Sequence, residues 1–199
     1  MFSKNLKLNE GFTLAELIVV MAIATVIITS VVVQQSRWND RLAVDTQAYE
    51  LALMIRQAQI YSLGVREYTA GTDDKFNIGY GVHFDTSGPP SERYIFFADR
   101  DGDFKYDPEE EIETKYLTKG VKVNKICSAV ASPCPGSSGL KQIDVSFLRP
   151  LSNAHMIFMD NTGAVISPQP PPPAFLKVKS ADGLEVVIKV ETNGQISVQ

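Results

Sequence analysis

The fold of this chain is decided by one stretch, Glu10–Ser36, which reads EGFTLAELIVVMAIATVIITSVVVQQS. Its apolar run covers 22 residues, from Phe12 to Val33, and Glu16 is the only charged residue within it. As an α-helix this run would be about 33 Å long, enough to cross a hydrocarbon core of about 30 Å. Because lipid offers the backbone no hydrogen-bonding partners, a single crossing segment must be helical. We therefore predict a membrane-spanning helix.

Two other kinds of N-terminal signal fit this stretch poorly. A secretory signal peptide has an apolar core of about 7–15 residues followed by a small-residue cleavage site, whereas this run is longer and no such site follows it. A lipoprotein anchor needs a cysteine beside the apolar run, but the first cysteine of the chain is Cys127. A plain single-span anchor remains as the alternative interpretation.

The carboxylate of Glu16 argues against a plain anchor. A charged side chain at the centre of a membrane helix costs about 2.5–3.5 kcal/mol, and somewhat less near the ends. An anchor has no need of that cost and would be more stable with leucine at this position. The sequence therefore predicts that Glu16 has a partner.

The stretch KLNEGFTLAELIVVMAIATVIITSVVV resembles the class III signal of type IV prepilins and type II secretion pseudopilins. A basic leader carries Lys4 and Lys7, Gly11 stands before the expected cut, Phe12 follows it, and Glu16 is the fifth mature residue. The resemblance implies that a membrane prepilin peptidase cuts between Gly11 and Phe12 and N-methylates Phe12.

The same resemblance implies a role for the carboxylate. In a filament, Glu16 of one subunit would neutralise the new α-amine of Phe12 on a neighbour. Such a buried pair adds little net stability, but leaving one partner unpaired is costly, so the pair would fix the register between subunits. The alternative is that Glu16 interacts with its own helix N-terminus and its own amine.

The rest of the chain predicts an α+β fold of pilin-like plan. Apolar residues at steps of three and four continue the helix to Leu63, and Gly64 is a natural stop. We expect a leader at 1–11, a transmembrane or filament-core helix at 12–34, its amphipathic second half at 35–66, and a β-rich head at 67–199.

The head resembles that of the GspH/FimT family of minor pseudopilins. Ten short β-type runs follow residue 70: IGYGVHFD, RYIFFAD, ETKYLT, VKVNKI, QIDVSFL, HMIFMD, AVIS, FLKVKS, LEVVIKV and QISVQ.

Composition limits the functions that the chain can support. Its 199 residues and 44% apolar content allow one globular domain plus an anchor. The 19 Lys+Arg against 23 Asp+Glu give no overall basic footprint for nucleic acid. A cluster of four lysines is typical of a solvated strand face: Lys115, Lys119, Lys122 and Lys125. No catalytic motif is recognisable, so we do not expect an enzyme.

The densest acidic stretch, DRDGDFKYDPEEE, begins at Asp99. Its spacing matches that of an EF-hand-type calcium loop, although Phe104 stands where glycine is usual. A calcium site and a solvated acidic turn both remain open, and Ca²⁺ is the only cofactor that the sequence suggests. The candidate ligands are Asp99, Asp101, Asp103, Lys105 through its carbonyl, Asp107 and Glu110.

Two further segments predict local structure. Cys127 and Cys134 could form a disulfide in an exported head, or remain two thiols. The proline-rich stretch SPQPPPPAF, residues 167–175, predicts a stiff polyproline II connection.

Together these features predict a structural subunit of a type II secretion pseudopilus or a type IV pilus-like filament. Its expected partners are other pilin or pseudopilin subunits, the prepilin peptidase, the assembly platform and the membrane; nucleic acid is not expected. The leader lysines place the N-terminus in the cytoplasm and the head outside the inner membrane. The alternative is a binding domain on a single-span anchor, including a DNA-uptake pilin.

Overall fold

A computed structural model describes residues 11–64, 78–88, 92–128, 140–166 and 173–199, apart from the side chains of residues 36 and 37. The chain divides into two compact units, Met1–Asn39 and Asp40–Gln199. Residues 1–10 of the predicted leader at 1–11 and the proline-rich residues 167–172 lie outside the described ranges.

One helix, α1, runs from Leu14 to Leu63 without interruption. The backbone N–H of Gly64 donates to the carbonyl of Ile60 just after the last turn, which agrees with the predicted stop. The helix contributes to both units, and its second half packs onto the head through the apolar positions read from the sequence. Those buried positions include Val44, Ala48, Leu51, Ile55 and Ala58.

The head contains two antiparallel sheets. The first has the strand order β3-β2-β1-β5-β6 and the second β4-β7-β8-β9. The strands are β1 Gly79–Asp85, β2 Arg93–Asp99, β3 Glu111–Tyr116, β4 Lys122–Ser128, β5 Gln142–Phe147, β6 Ala154–Met159, β7 Ala174–Lys179, β8 Glu185–Val190 and β9 Ile196–Val198. A short 3-10 helix, Pro108–Glu110, precedes β3.

The core lies between α1 and the inner faces of both sheets. Its largest members are fully buried phenylalanines on the first sheet and aliphatic side chains on the second. At about 1.5–3 kcal/mol per large side chain, this burial supplies most of the stability of the head. The core residues include Phe84, Phe96, Phe147, Phe158, Leu176 and Ile188.

Three polar side chains on the buried side of α1 also connect the helix to the strands. Gln47 accepts a hydrogen bond from the backbone N–H of Thr118, and Ser62 accepts one from Tyr80. Gln59 donates to two carbonyls, those of Ser152 and Gly194, each at 3.1 Å. Gly194, in the turn before β9, has a φ of 83° and leaves no room for a Cβ beside the Ser152 carbonyl.

The α+β architecture predicted from the sequence is confirmed, and nine of the ten predicted β-type runs correspond to strands. The run AVIS was predicted wrongly as a strand, because Val165 makes only an isolated bridge to Met159. The turn around Gly163, which has a φ of 79°, folds this run back on β6. Ala174, assigned to the proline-rich connection, begins β7 instead, and Phe175, which lies both in that stretch and in the predicted run FLKVKS, is the second residue of the strand.

Candidate functional site

The first candidate site is the start of α1. The hydroxyl of Thr13 accepts a hydrogen bond from the backbone N–H of Glu16 at 3.3 Å, while the Thr13 carbonyl accepts one from Leu17. This is the N-cap arrangement, and Glu16 stands at the position that a capping-box glutamate occupies. The side chain of Glu16 is exposed and has no partner among the described residues.

Apolar surface surrounds this carboxylate. Every residue from Phe12 to Val33 except Ala24 is exposed, and no part of the most apolar 18-residue window is buried. In water such a surface would be strongly unfavourable, so it must be covered by lipid or by other protein. The helix is long and apolar enough to cross a membrane.

A family model described as the prokaryotic N-terminal methylation motif matches residues 6–32. The chain carries a prepilin-type signal. The matched range includes Gly11, Phe12 and Glu16. Together with the fold, this match is consistent with a type IV pilin-like protein that is anchored by one membrane segment. No curated protein and no solved structure gave a significant match.

The second candidate site is the acidic loop that follows β2. Oxygens of Asp99, Asp101 and Asp103 lie within 4.8 Å of one another. The backbone amides of the loop donate to these carboxylates: Gly102 and Phe104 to Asp99, Asp103 to Asp101, and Lys105 to Asp103. The predicted ligand Glu110 is also buried here, where the backbone amides of Arg100 and Asp107 donate to it.

Loss of contact with water works against the charge of three of these carboxyl groups, those of Asp99, Asp103 and Glu110. Burial is the largest effect on Asp99 and raises its pKa to about 6, although the two amide donors favour the ionised form. Burial likewise raises the pKa of Asp103 and of Glu110. A bound cation would reverse this effect, because it favours the ionised carboxylate. The residues present therefore fit a hard cation, which prefers oxygen ligands.

The loop backbone at Phe104 resolves the mismatch with the calcium-loop pattern. Phe104 has a φ of 65°, the left-handed conformation for which glycine is usual at this position. Its ring stacks on His155 from β6, with 3.9 Å between ring centroids and 5° between planes. Sequence reasoning treated His155 as an ordinary strand residue and did not find this contact.

A buried His–Asp pair holds the other side of the loop. His83 Nδ1 and Asp144 Oδ1 are 2.6 Å apart on the neighbouring strands β1 and β5. The second oxygen of Asp144 accepts the backbone N–H of Tyr106, whose ring lies 4.8 Å from that of His83. These contacts attach the loop to strands β1 and β5 of the first sheet.

The structure describes only one of the two cysteines that were predicted to pair. Cys127, in β4, is buried and disulfide-bonded. Cys134 lies outside the described residues. Its pairing with Cys127 therefore stays a prediction.

The lysine cluster read from the sequence is divided by the fold. Lys115 lies on β3 of the first sheet, whereas Lys122 and Lys125 lie on β4 of the second. Strand pairing brings other lysines beside those on β4: Lys179 stands opposite Lys122, and Lys177 opposite Lys125. We call the outer surface of the second sheet the lysine face, formed by Lys122, Lys125, Lys177, Lys179 and Lys189.

The second half of α1 is apolar on both sides. Opposite its buried positions it exposes large apolar side chains at steps of seven, four and seven residues, which places them on one face of the helix. Nothing in the described part of the head covers them. This apolar stripe is formed by Leu42, Tyr49, Leu53 and Ile60, each about 60% exposed.

Proposed function

We propose that this protein is a subunit of a type II secretion pseudopilus or a type IV pilus-like filament, processed by prepilin peptidase between Gly11 and Phe12. The observation that carries the proposal is a methylation motif on a continuous apolar helix whose surface is exposed in the single chain. Filament assembly would bury this surface against other subunits. The many-stranded head favours a minor pseudopilin of the GspH/FimT type within this class.

In this proposal Glu16 sets the register of assembly. Its exposed carboxylate lies in an apolar surface, and its charge would be neutralised by the methylated amine of Phe12 on a neighbouring subunit. The described chain leaves the carboxylate available for such a partner. The lysines of the leader favour a cytoplasmic N-terminus, which would put the head on the outer side of the inner membrane.

The apolar stripe supports subunit contacts along the second half of the helix. Monomeric soluble surfaces rarely keep contiguous large apolar patches, and those that exist usually mark interaction sites. The four side chains of the stripe lie on one helix face and would fit a neighbouring helix.

Mass spectrometry of the mature N-terminus tests this function. The full chain should be expressed with an active prepilin peptidase and, as a control, with a catalytically inactive one. We expect a mature protein that begins with N-methyl-phenylalanine at Phe12 only in the first case. A chain that keeps Met1–Gly11 beside the active peptidase would leave a membrane-tethered binding domain as the better interpretation.

We also propose that the acidic loop binds Ca²⁺ through the carboxylates of Asp99, Asp101 and Asp103, with Lys105, Asp107 and Glu110 as further candidate ligands. The left-handed backbone at Phe104 and the clustering of the three aspartate oxygens favour this assignment. When bound, the ion would neutralise a loop that holds several carboxylates within a short distance. Its role would be to stabilise the head.

Thermal unfolding of the full chain in detergent tests calcium binding. One millimolar Ca²⁺ should raise the melting temperature of the native protein and of the control Glu109→Gln, whose exposed side chain has no described contact. It should raise that of Asp103→Asn much less, because this change removes an exposed candidate ligand. Equal melting temperatures with Ca²⁺ and with EDTA for the native protein would contradict the site.

A further inference from the structure

We propose that the lysine face of one copy of this protein binds the acidic segment of a second copy, so that the heads associate in a head-to-tail order. The acidic segment is residues 101–113, with six exposed carboxylates: Asp101, Asp103, Asp107, Glu109, Glu111 and Glu113. The three glutamates are not candidate Ca²⁺ ligands and stay available to the lysine face when the ion is bound. The inference rests on the proposed filament function and names the partner of the head.

The lysine face is electrostatically unfavourable when it stands alone. Lys122 faces Lys179 and Lys125 faces Lys177 across adjacent strands, and like charges in directly opposite positions destabilise a sheet. Among the described residues, Lys179 pairs with Glu185 and Lys189 with Glu191. The described residues offer no ion pair to Lys122, Lys125 or Lys177. An anionic partner would remove this repulsion.

Protection of a sheet edge accounts for only part of the arrangement. Lysines on an edge strand prevent unwanted pairing with other chains, and β4 is an edge of the second sheet. However, β7 lies between β4 and β8. Lys179 already pairs with Glu185 on β8, so Lys177 is the residue that needs another explanation, which binding of an anionic surface provides.

The same chain contains a surface of opposite charge. Residues 99–113 hold eight carboxyl groups and only two basic side chains, Arg100 and Lys105. Glu109 lines a concave surface together with Asp101, Asp107, Glu110 and one basic residue, Arg100, and the side chain of Glu109 has no described partner. Extended lysine side chains could enter this concavity.

The two surfaces belong to different sheets, which determines the type of assembly. Residues of the lysine face contact the acidic segment of a neighbour, while the acidic segment of the first copy stays available for another neighbour. Such a heterologous interface produces a ring if it closes and an open helical filament if it does not. A filament subunit needs the second outcome.

A second copy of this protein is favoured over a nucleic acid as the partner of the lysine face, because the net negative charge of the whole chain would repel a nucleic acid.

Charge reversal in the full chain tests this interface. The lysine-face variant is Lys125→Glu with Lys177→Glu, and the acidic-segment variant is Glu109→Lys with Glu113→Lys. Self-association is measured by sedimentation velocity in detergent micelles with EDTA, at low salt and at 0.5 M salt. All variants share the same helix, so its contribution to association cancels.

We expect each variant alone to associate about tenfold more weakly than the native chain at low salt. An equimolar mixture of the two variants should recover the native affinity, because a reversed lysine face meets a reversed acidic segment. High salt should weaken native association, since screening shortens the range of these charges. Lys141→Glu, an exposed reversal away from both surfaces, should behave like the native chain.

Unchanged association of both variants, or a mixture that fails to recover, would overturn the inference; melting curves confirm that each variant is folded. If Phe12 is still methylated and the variants still enter filaments in that case, the filament function stands without this interface. Binding of duplex DNA or anionic vesicles that is lost in the lysine-face variant, with no self-association of the native chain, would overturn the proposed partner in favour of a polyanion.

Discussion

At the scale of single residues, the loop after β2 depends on one aromatic contact. A left-handed backbone costs a residue with a Cβ about 1–2 kcal/mol, and Phe104 is in this conformation. An aromatic stack contributes about 0.5–1.5 kcal/mol, and Phe104 stacks on His155. Because the two contributions are similar, phenylalanine can replace the usual glycine here.

The same stack makes the head sensitive to pH through His155. Burial lowers the pKa of His155 below its ordinary value of 6.5, so the folded state binds a proton less readily than the unfolded state. Its contribution to stability is complete above pH 6.5 and is lost as pH falls through the lowered folded pKa. We expect His155→Phe, which keeps the stack, to become progressively more stable than the native chain as the pH falls from 7.5 to 4.5. Melting curves across this range measure the difference, and a constant difference at every pH would contradict the prediction.

Substitutions of Glu16 separate its charge from its capping role. Glutamine at this position can still accept a capping-box hydrogen bond from the backbone N–H of Thr13 but has no charge, whereas alanine can neither accept that bond nor carry a charge. If Glu16 pairs with an amine on a neighbour, Glu16→Gln and Glu16→Ala should both be cleaved normally and both fail to enter filaments. Immunoblots of sheared filaments and of membranes measure the two steps. Normal incorporation of the glutamine variant together with failure of the alanine variant would assign Glu16 to the helix cap.

At the scale of elements, periodicity in the sequence identified α1 and all nine described strands, because each element buries one face against a common core. The run AVIS was wrongly predicted as a strand, because its alternation is short and a turn folds it onto β6, where Val165 makes only an isolated bridge. The lysine face could not be predicted, since it depends on the register of β4 and β7, which lie about 50 residues apart in the chain. The contact between Phe104 and His155 depends equally on tertiary packing.

Gln59 offers a direct measure of how α1 is held to the strands. Leucine at this position would remove both hydrogen bonds to the carbonyls of Ser152 and Gly194. We expect Gln59→Leu to lower the free energy of unfolding by about 1–3 kcal/mol, which corresponds to a few degrees in melting temperature. The control is Gln57→Leu, whose glutamine is half-buried on the same helix without a described hydrogen bond. Equal losses in the two variants would show that these bonds contribute little.

At the scale of the whole molecule, stability and the proposed filament assembly would use opposite sides of the second half of α1. The buried side forms the core with both sheets, whereas the apolar stripe remains exposed. A helix that served only the core would carry polar residues on its outer side. The sequence predicted the buried side of the helix but not the apolar stripe. The stripe residues recur at steps of four and seven, which are hard to distinguish from the steps of three and four between the core positions.

A charge in the apolar stripe should therefore affect assembly without affecting folding. We expect Leu53→Glu to change the free energy of unfolding by less than about 0.5 kcal/mol, as is usual for surface substitutions, and to reduce filament incorporation strongly. Asn39→Glu adds the same charge on the exposed side of the helix outside the stripe and should assemble normally. Melting curves and filament yield provide the two readouts. Normal filament yield for Leu53→Glu would exclude the stripe as a subunit contact.

The polar contacts from Gln47, Gln59 and Ser62 have a mechanical consequence. A purely apolar contact would let the strands slide along or rotate around the helix at small cost, but hydrogen bonds are directional and oppose both movements. Torque or tension applied to the second half of α1 is thus transmitted to both sheets, so the sheets must rotate and translate together with this part of the helix.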